Sequence, residues 1–184
     1  MTTAKKLLTA NDLLGIPDDG MRRELIRGEL VEMPPAGDNH GFVGNEASWR
    51  MSSFIHQHGL GRGRMAETGF WIDVAPDTVL APDYAFVSYE RMSTSPQSRG
   101  YAQVIPDLVM EVFSPNDRQA RLDRKIRLWL DAGVRLVMVV YPVPREIHTH
   151  HDDGTVRRFG PGDTLTCEPV LPGFACAVDD IFAY

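Results

Sequence analysis

The chain has 184 residues, 43% hydrophobic and 24% charged, with a net charge of −6. That is the composition of a soluble globular protein long enough to bury a core without staples, and residues 1–184 read as one domain. It excludes a membrane span, since no apolar run approaches ~20 residues, and the acidic balance argues against a broad phosphate-coating surface.

Residues 9–14 read as a capped helical turn stopped by Gly15 and Pro17. Residues 23–33 read as two short strands around Gly28, a hairpin broken by Pro34-Pro35-Ala36-Gly37. From Asp38 to Gly59, the spacing of Phe42, Val43, Ala47, Trp49, Met51, Phe54 and Ile55 predicts an amphipathic helix. Asp38 would cap it and Gly59 would stop it. Residues 63–74 read as a strand, and a turn at Ala75-Pro76-Asp77 leads to a second strand over 80–87 with Asp83 at its head. A polar loop over 93–100 precedes 108–113, an apolar strand interrupted by one charge, Glu111, and closed by Ser114-Pro115-Asn116-Asp117.

Residues 118–132 are strongly helical. Ala120, Leu122, Ile126, Leu128, Trp129 and Leu130 supply the packing face, Arg118, Arg121, Arg124, Lys125 and Arg127 surround it, and Gly133 ends it. Residues 134–141 form a continuous apolar run, as in a central buried strand. Asp152-Asp153-Gly154 marks a hairpin, and the tail holds a turn, a strand pair and a short helix near 179–183. The strand–helix–strand unit over 107–141 predicts a right-handed crossover. The whole reads as α/β, a mixed central sheet flanked by helices near 40–58 and 118–132. Cys167 and Cys176 form neither a metal spacing nor a disulfide framework, which fits reduced thiols in the cytoplasm, and Lys5 and Lys6 precede too short an apolar stretch for a secretory signal.

Glu111 poses the chemical question, because carboxylates are rarely buried unless paired, hydrogen-bonded or bound to a metal. Asp83 heads a neighbouring strand, and Lys125 lies in the helix that leaves the Glu111 strand. Two carboxylates brought together from adjacent strands suit Mg²⁺ or Mn²⁺. Such an ion activates water and neutralises phosphoryl charge, and a nearby lysine can orient the nucleophile or stabilise the transition state. Each residue also has a structural reading. Asp83 and Asp107 could begin strands after their prolines, Glu111 could pair with Arg124, and Lys125 could be a solvated helix residue. Glu24 or Glu29 could add an outer carboxylate or simply face solvent. His40 could enter the cleft, although a local hydrogen bond in a helix's first turn is the simpler expectation. His148 and His150 share a strand face and invite a zinc reading, but a full ligand set is missing. The basic run 118–127 could face phosphates or solvent.

Several segments carry a resemblance, in order along nearly the whole chain. They are Glu24-Leu25-Ile26-Arg27-Gly28-Glu29-Leu30, Met33-Pro34-Pro35 with His40, Thr68-Gly69-Phe70, Pro82-Asp83-Tyr84-Ala85-Phe86-Val87, Pro106-Asp107 through Ser114-Pro115, Lys125, Gly133-Val134, Gly162-Asp163 and Leu171-Pro172-Gly173-Phe174. The chain resembles the PD-(D/E)XK, or restriction-endonuclease-like, superfamily and within it the Uma-two family. That resemblance implies a restriction-endonuclease-like fold and a metal-dependent endonuclease hydrolysing DNA. It implies Asp83 and Glu111 as metal ligands, with the backbone carbonyl of Val112 as a third. The superfamily's lysine position holds Phe113 here, so the role passes to Lys125, with Arg121 and Arg124 as rivals. Trp129 stands where the family often has tyrosine, and reads as a packing change. A homodimer would supply the two sites that cutting both strands needs. The alternative is a catalytically silent nuclease-fold module that binds nucleic acid or protein.

Overall fold

The computed structural model describes residues 6–95, 100–114 and 118–183. The expected turn at Pro115-Asn116-Asp117 and the middle of the 93–100 loop lie outside those residues. Helix α1 (Ala10–Leu14) opens with a reciprocal capping box between Thr9 and Asp12. Strands β1 (Arg22–Ile26) and β2 (Glu29–Met33) pair antiparallel, with Ile26 opposite Glu29. The two-residue link needs positive φ at both positions, and Arg27 (50°) and Gly28 (78°) supply it, as a primed hairpin turn requires.

Helix α2 (Asp38–Gln57) follows the proline pair, with Gly37 as its N-cap, so Asp38 is its first helical residue rather than the expected cap. Next come β3 (Gly61–Met65), β4 (Phe70–Asp73), β5 (Thr78–Leu80), β6 (Tyr84–Ser88), α3 (Tyr89–Ser93), β7 (Leu108–Val112), α4 (Gln119–Asp131) and β8 (Leu136–Tyr141). The chain then runs through β9 (Glu146–His151), β10 (Val156–Phe159), β11 (Thr164–Cys167), β12 (Leu171–Ala177) and α5 (Val178–Phe182).

The central sheet has the order β10-β9-β8-β7-β6-β3. Only β7 and β8 pair parallel within it, connected through α4, so the sheet is mixed. Both central strands are buried on both faces, which explains their unbroken apolar runs. Leu108, Met110 and Val112 face a core shared with Val43, Ala47, Met51 and Ile55 of α2. Val109 points the other way, into a core shared with Leu122, Ile126 and Trp129 of α4. The alternation of a strand therefore puts Glu111 on the α4 side.

An isolated helix of the length of α4 is marginal in water. Its three buried side chains each contribute on the order of 1.5–3 kcal/mol by leaving solvent. Packing, not propensity, thus fixes where α4 lies and where Lys125 points.

Two strand readings need correction. The run 80–87 is not one strand: β5 belongs to a four-stranded sheet of order β2-β1-β5-β4, and β6 belongs to the central sheet. Ala81-Pro82-Asp83 is the crossing point, where Pro82 has no N–H to give a ladder. The run 63–74 likewise divides, into β3 and β4, at a turn over 66–69. Helix α3 lies in a stretch that shows no apolar period, and its Ser88 cap holds it instead.

Candidate active site

Asp83 sits where the chain passes from one sheet to the other, and its backbone N–H donates to the Met110 carbonyl at 3.0 Å. Its carboxylate takes three partners. Arg22 Nη2 donates to Oδ1 at 3.1 Å, the Val112 N–H donates to Oδ2 at 2.8 Å, and His40 Nε2 lies 3.0 Å from Oδ2. The last contact corrects the local reading of His40, which reaches across from the first turn of α2.

Glu111 is 6% exposed, and both of its oxygens are engaged by α4. Lys125 Nζ donates to Oε2 at 2.9 Å and Trp129 Nε1 donates to Oε1 at 2.9 Å. Lys125 also lies 2.7 Å from Glu24 Oε1, and that same oxygen accepts the Ala81 N–H at 2.9 Å. Glu24 on β1, Asp83 at the sheet junction, Glu111 on β7 and Lys125 on α4 therefore converge from four separate elements. They line one cleft of about 360 Å³, with Val112, Phe113 and Arg121 at its wall.

The rivals for the lysine role are placed differently. Arg121 is exposed at the rim of the cleft, and Arg124 is exposed outside it. The expected Glu111–Arg124 alternative is replaced by the pair with Lys125. Glu29 is exposed, so of the two hairpin acids only Glu24 enters the site. Trp129 is completely buried and does more than fill space, because its indole N–H holds a Glu111 oxygen.

Burial pushes the Glu111 carboxyl up to about 7, the nearby charges of Asp83 and Glu24 adding to it and the Lys125 ammonium opposing it. Burial works to lower the Lys125 ammonium, yet Glu111 and Glu24 outweigh it and hold the ammonium above its ordinary value. At contact distance three carboxylates meet two fixed cations, Arg22 and Lys125, so the centre itself is short of positive charge, while Arg118 and Arg121 stand farther out along the cleft.

Among the described residues no three His, Cys, Asp or Glu side chains are grouped so as to hold a metal. At the histidine strand, His148 bonds Glu146 at 3.0 Å and packs against the Tyr141 ring. No helix among the described residues is long and apolar enough to cross a membrane, and Cys167 and Cys176 are free and buried.

A family model described as "Putative restriction endonuclease", Uma2, matches residues 10–179. The chain belongs to the Uma2 family. A solved structure titled as a putative nuclease belonging to DUF820, from Anabaena variabilis, is similar to it with a TM-score of 0.80. The two are 17% identical, over 95% of this chain and 97% of that one, which speaks for a shared fold. No curated protein matches the chain. Within this Uma2 chain the residues that sequence reasoning undervalued are Arg22, His40 and Trp129. Arg22 carried no signal beyond its place before Glu24. Trp129 carried one: it lies four residues after Lys125, on the same face of a helix.

Proposed function

We propose that this Uma2 chain is a divalent-metal-dependent nuclease that hydrolyses phosphodiester bonds in DNA. The observation that carries the reading is Lys125, delivered by α4 to within 2.9 Å of a buried Glu111. A divalent cation fits the donor set. Each Glu111 oxygen accepts one hydrogen bond and keeps a lone pair, as does Asp83 Oδ1. All are hard oxygen donors in a centre short of positive charge. Asp83, Glu111 and the Val112 carbonyl would hold Mg²⁺ or Mn²⁺. When bound, the ion supplies Lewis-acid charge at the phosphate and lowers the pKa of coordinated water.

The protein's own residues do the rest. Trp129 and the Lys125 ammonium fix the rotamer of Glu111, while Arg22, His40 and the Val112 N–H fix Asp83. Lys125 presents a permanent positive charge where negative charge grows on phosphorus oxygens. Attack by water forms one P–O bond and breaks the ester P–O bond, with a proton passing from the water to the leaving oxygen. Glu24 holds the ammonium from behind and keeps it charged. A cytoplasmic homodimer would place two such centres on the two strands of a duplex.

The test is calorimetric titration of Mg²⁺ and Mn²⁺ into wild type and Glu111→Ala, with plasmid nicking by the same samples. Binding and nicking that both vanish in the variant support the reading. Metal binding without nicking would favour a silent module of the same fold, which the net charge of −6 favours over a broad DNA clamp. Absence of Glu111-dependent metal binding would overturn the nuclease reading.

A further inference from the structure

A second cleft, about 350 Å³, adjoins the first, and the two share Arg22, Pro35, Ala36, His40 and Asp83. One wall is the face of α2 formed by Gly41, Gly44, Asn45 and Ser48; the other is the end of β3 at Met65 and the turn that carries Glu67. Neither glycine is needed for packing within the chain. A Cβ at Gly41 would meet nothing within 4 Å, and one at Gly44 would make ordinary contact with Val112 Cγ2 at 3.5 Å. Glycine inside a helix costs about 0.5–1 kcal/mol relative to alanine, so both weaken α2 while keeping the cleft open.

A second observation points to a ligand. Two buried side-chain nitrogens on its wall, Arg22 Nε and His40 Nδ1, have no hydrogen-bond partner among the described residues, and Ser48, 4% exposed, lines the same cleft. Buried polar atoms in proteins are ordinarily paired. On the facing turn, Glu67 is held at φ 69°, a conformation that disfavours a residue with a side chain and clusters at functional sites. Asn45 and Glu67 are exposed at the rim, and Met65 presents 58% of its surface there.

We propose that this second cleft is a nucleobase pocket, so that the strand is taken unpaired on one side of the phosphate held at Asp83. The inference rests on the nuclease reading for its choice of ligand and deepens it to a substrate class: single-stranded or locally opened DNA. Small walls and the Met65 side chain suit a flat, weakly polar ring. The Ser48 hydroxyl, the Asn45 amide and the Glu67 carboxylate supply the donors and acceptors that a base edge demands. A base still paired with its partner strand has its Watson–Crick edge occupied and cannot offer it to these groups. Because Asp83 belongs to both clefts, a nucleoside in this one is continuous with a phosphate in the other.

The experiment measures binding alone, in EDTA, so that it does not depend on cleavage. Fluorescence anisotropy follows a short labelled oligonucleotide as a single strand, as the same strand carrying abasic sites throughout, and as a duplex. Wild type should bind the intact single strand about tenfold tighter than either other form, the scale of one well-made pair of hydrogen bonds to a base edge. Gly41→Leu should bring the intact strand down to abasic affinity and leave the abasic strand unchanged. Its thermal midpoint should equal or exceed that of wild type, because leucine is the better helix former. Ser48→Ala should fall between. Equal affinity for intact and abasic strands, tightest binding to duplex, or indifference to Gly41→Leu would each overturn the pocket. Base-dependent binding with no nicking under Mn²⁺ would keep the pocket and count against hydrolysis instead.

Discussion

Glu111→Gln should flatten the pH dependence of stability in the metal-free protein. Burial holds the Glu111 carboxyl at about 7 in the folded chain, against an ordinary value of 4.5. A carboxyl raised in this way binds its proton more tightly folded than unfolded. Its contribution is therefore complete below pH 4.5 and is lost as pH rises through 7. At about 1.4 kcal/mol for each pH unit between those two values, the loss is about 3 kcal/mol. In a chain of this size that corresponds to roughly 6–12 °C in Tm.

The assay is urea unfolding in EDTA at intervals from pH 4.5 to 8, on wild type and the Gln variant. Other carboxylates tilt both curves alike, so the difference between them is the readout. That difference should fall by about 3 kcal/mol over the window. The level of the variant is not the readout, because a glutamine amide cannot accept from both Trp129 and Lys125. Parallel curves would refute the claim that a carboxyl raised by burial sits at this position.

Three further outcomes follow from the same geometry. Below pH 7, Mn²⁺ affinity by calorimetry should rise about tenfold per pH unit and level off above it, since binding must expel the Glu111 proton; a flat profile would remove Glu111 from the ligand set. Lys125→Met should lose nicking while retaining Mn²⁺ binding. It should also lower metal-free stability by about 3–5 kcal/mol at pH 8, and by less at pH 5.5, where Glu111 takes up a proton. Trp129→Phe keeps a ring but removes the donor to Oε1, a bond to a charged group worth about 1.5–3 kcal/mol. Mn²⁺ affinity should weaken accordingly, and an unchanged affinity would leave the indole a packing role alone.

The layers of the fold were legible because period and punctuation agreed with burial. Helices α2 and α4 carried apolar stripes, β8 an unbroken apolar run, and Gly133 (φ 99°) the stop that follows α4. Boundaries between sheets were not legible. The apolar run through Val79, Leu80, Tyr84, Ala85 and Phe86 is buried throughout, so its pattern gives no sign that the chain changes sheets at Pro82. Asp83 and Glu111 announced themselves as acids beside or within apolar strands. His40 and Trp129 gave weaker signals, one as a candidate cleft residue and the other as a helix neighbour of Lys125, because each acquires its meaning from an oxygen distant in sequence. Glu24 was ambiguous for the same reason: its neighbours Leu25 and Ile26 are buried with it, and only the arrival of Lys125 distinguishes it from a rim acid.

The displaced lysine has a structural logic that goes beyond its charge. Along β7, side chains alternate, and position 113 returns to the face of Glu111 about 7 Å further on. Phe113 uses that place to pack against the α4-side core and the Tyr141 ring, with centroids 5.4 Å apart. The charge comes instead from α4, where Lys125 and Trp129 are four residues apart and stack along one helix face. Each holds a different oxygen of Glu111. A lysine on the strand end would depend on the last residues of β7. Lys125 depends on Leu122, Ile126 and Trp129, all buried in the core beneath α4. The orientation of Glu111 and the position of the ammonium are thereby set by one packed helix, and a change that shifts α4 displaces both together.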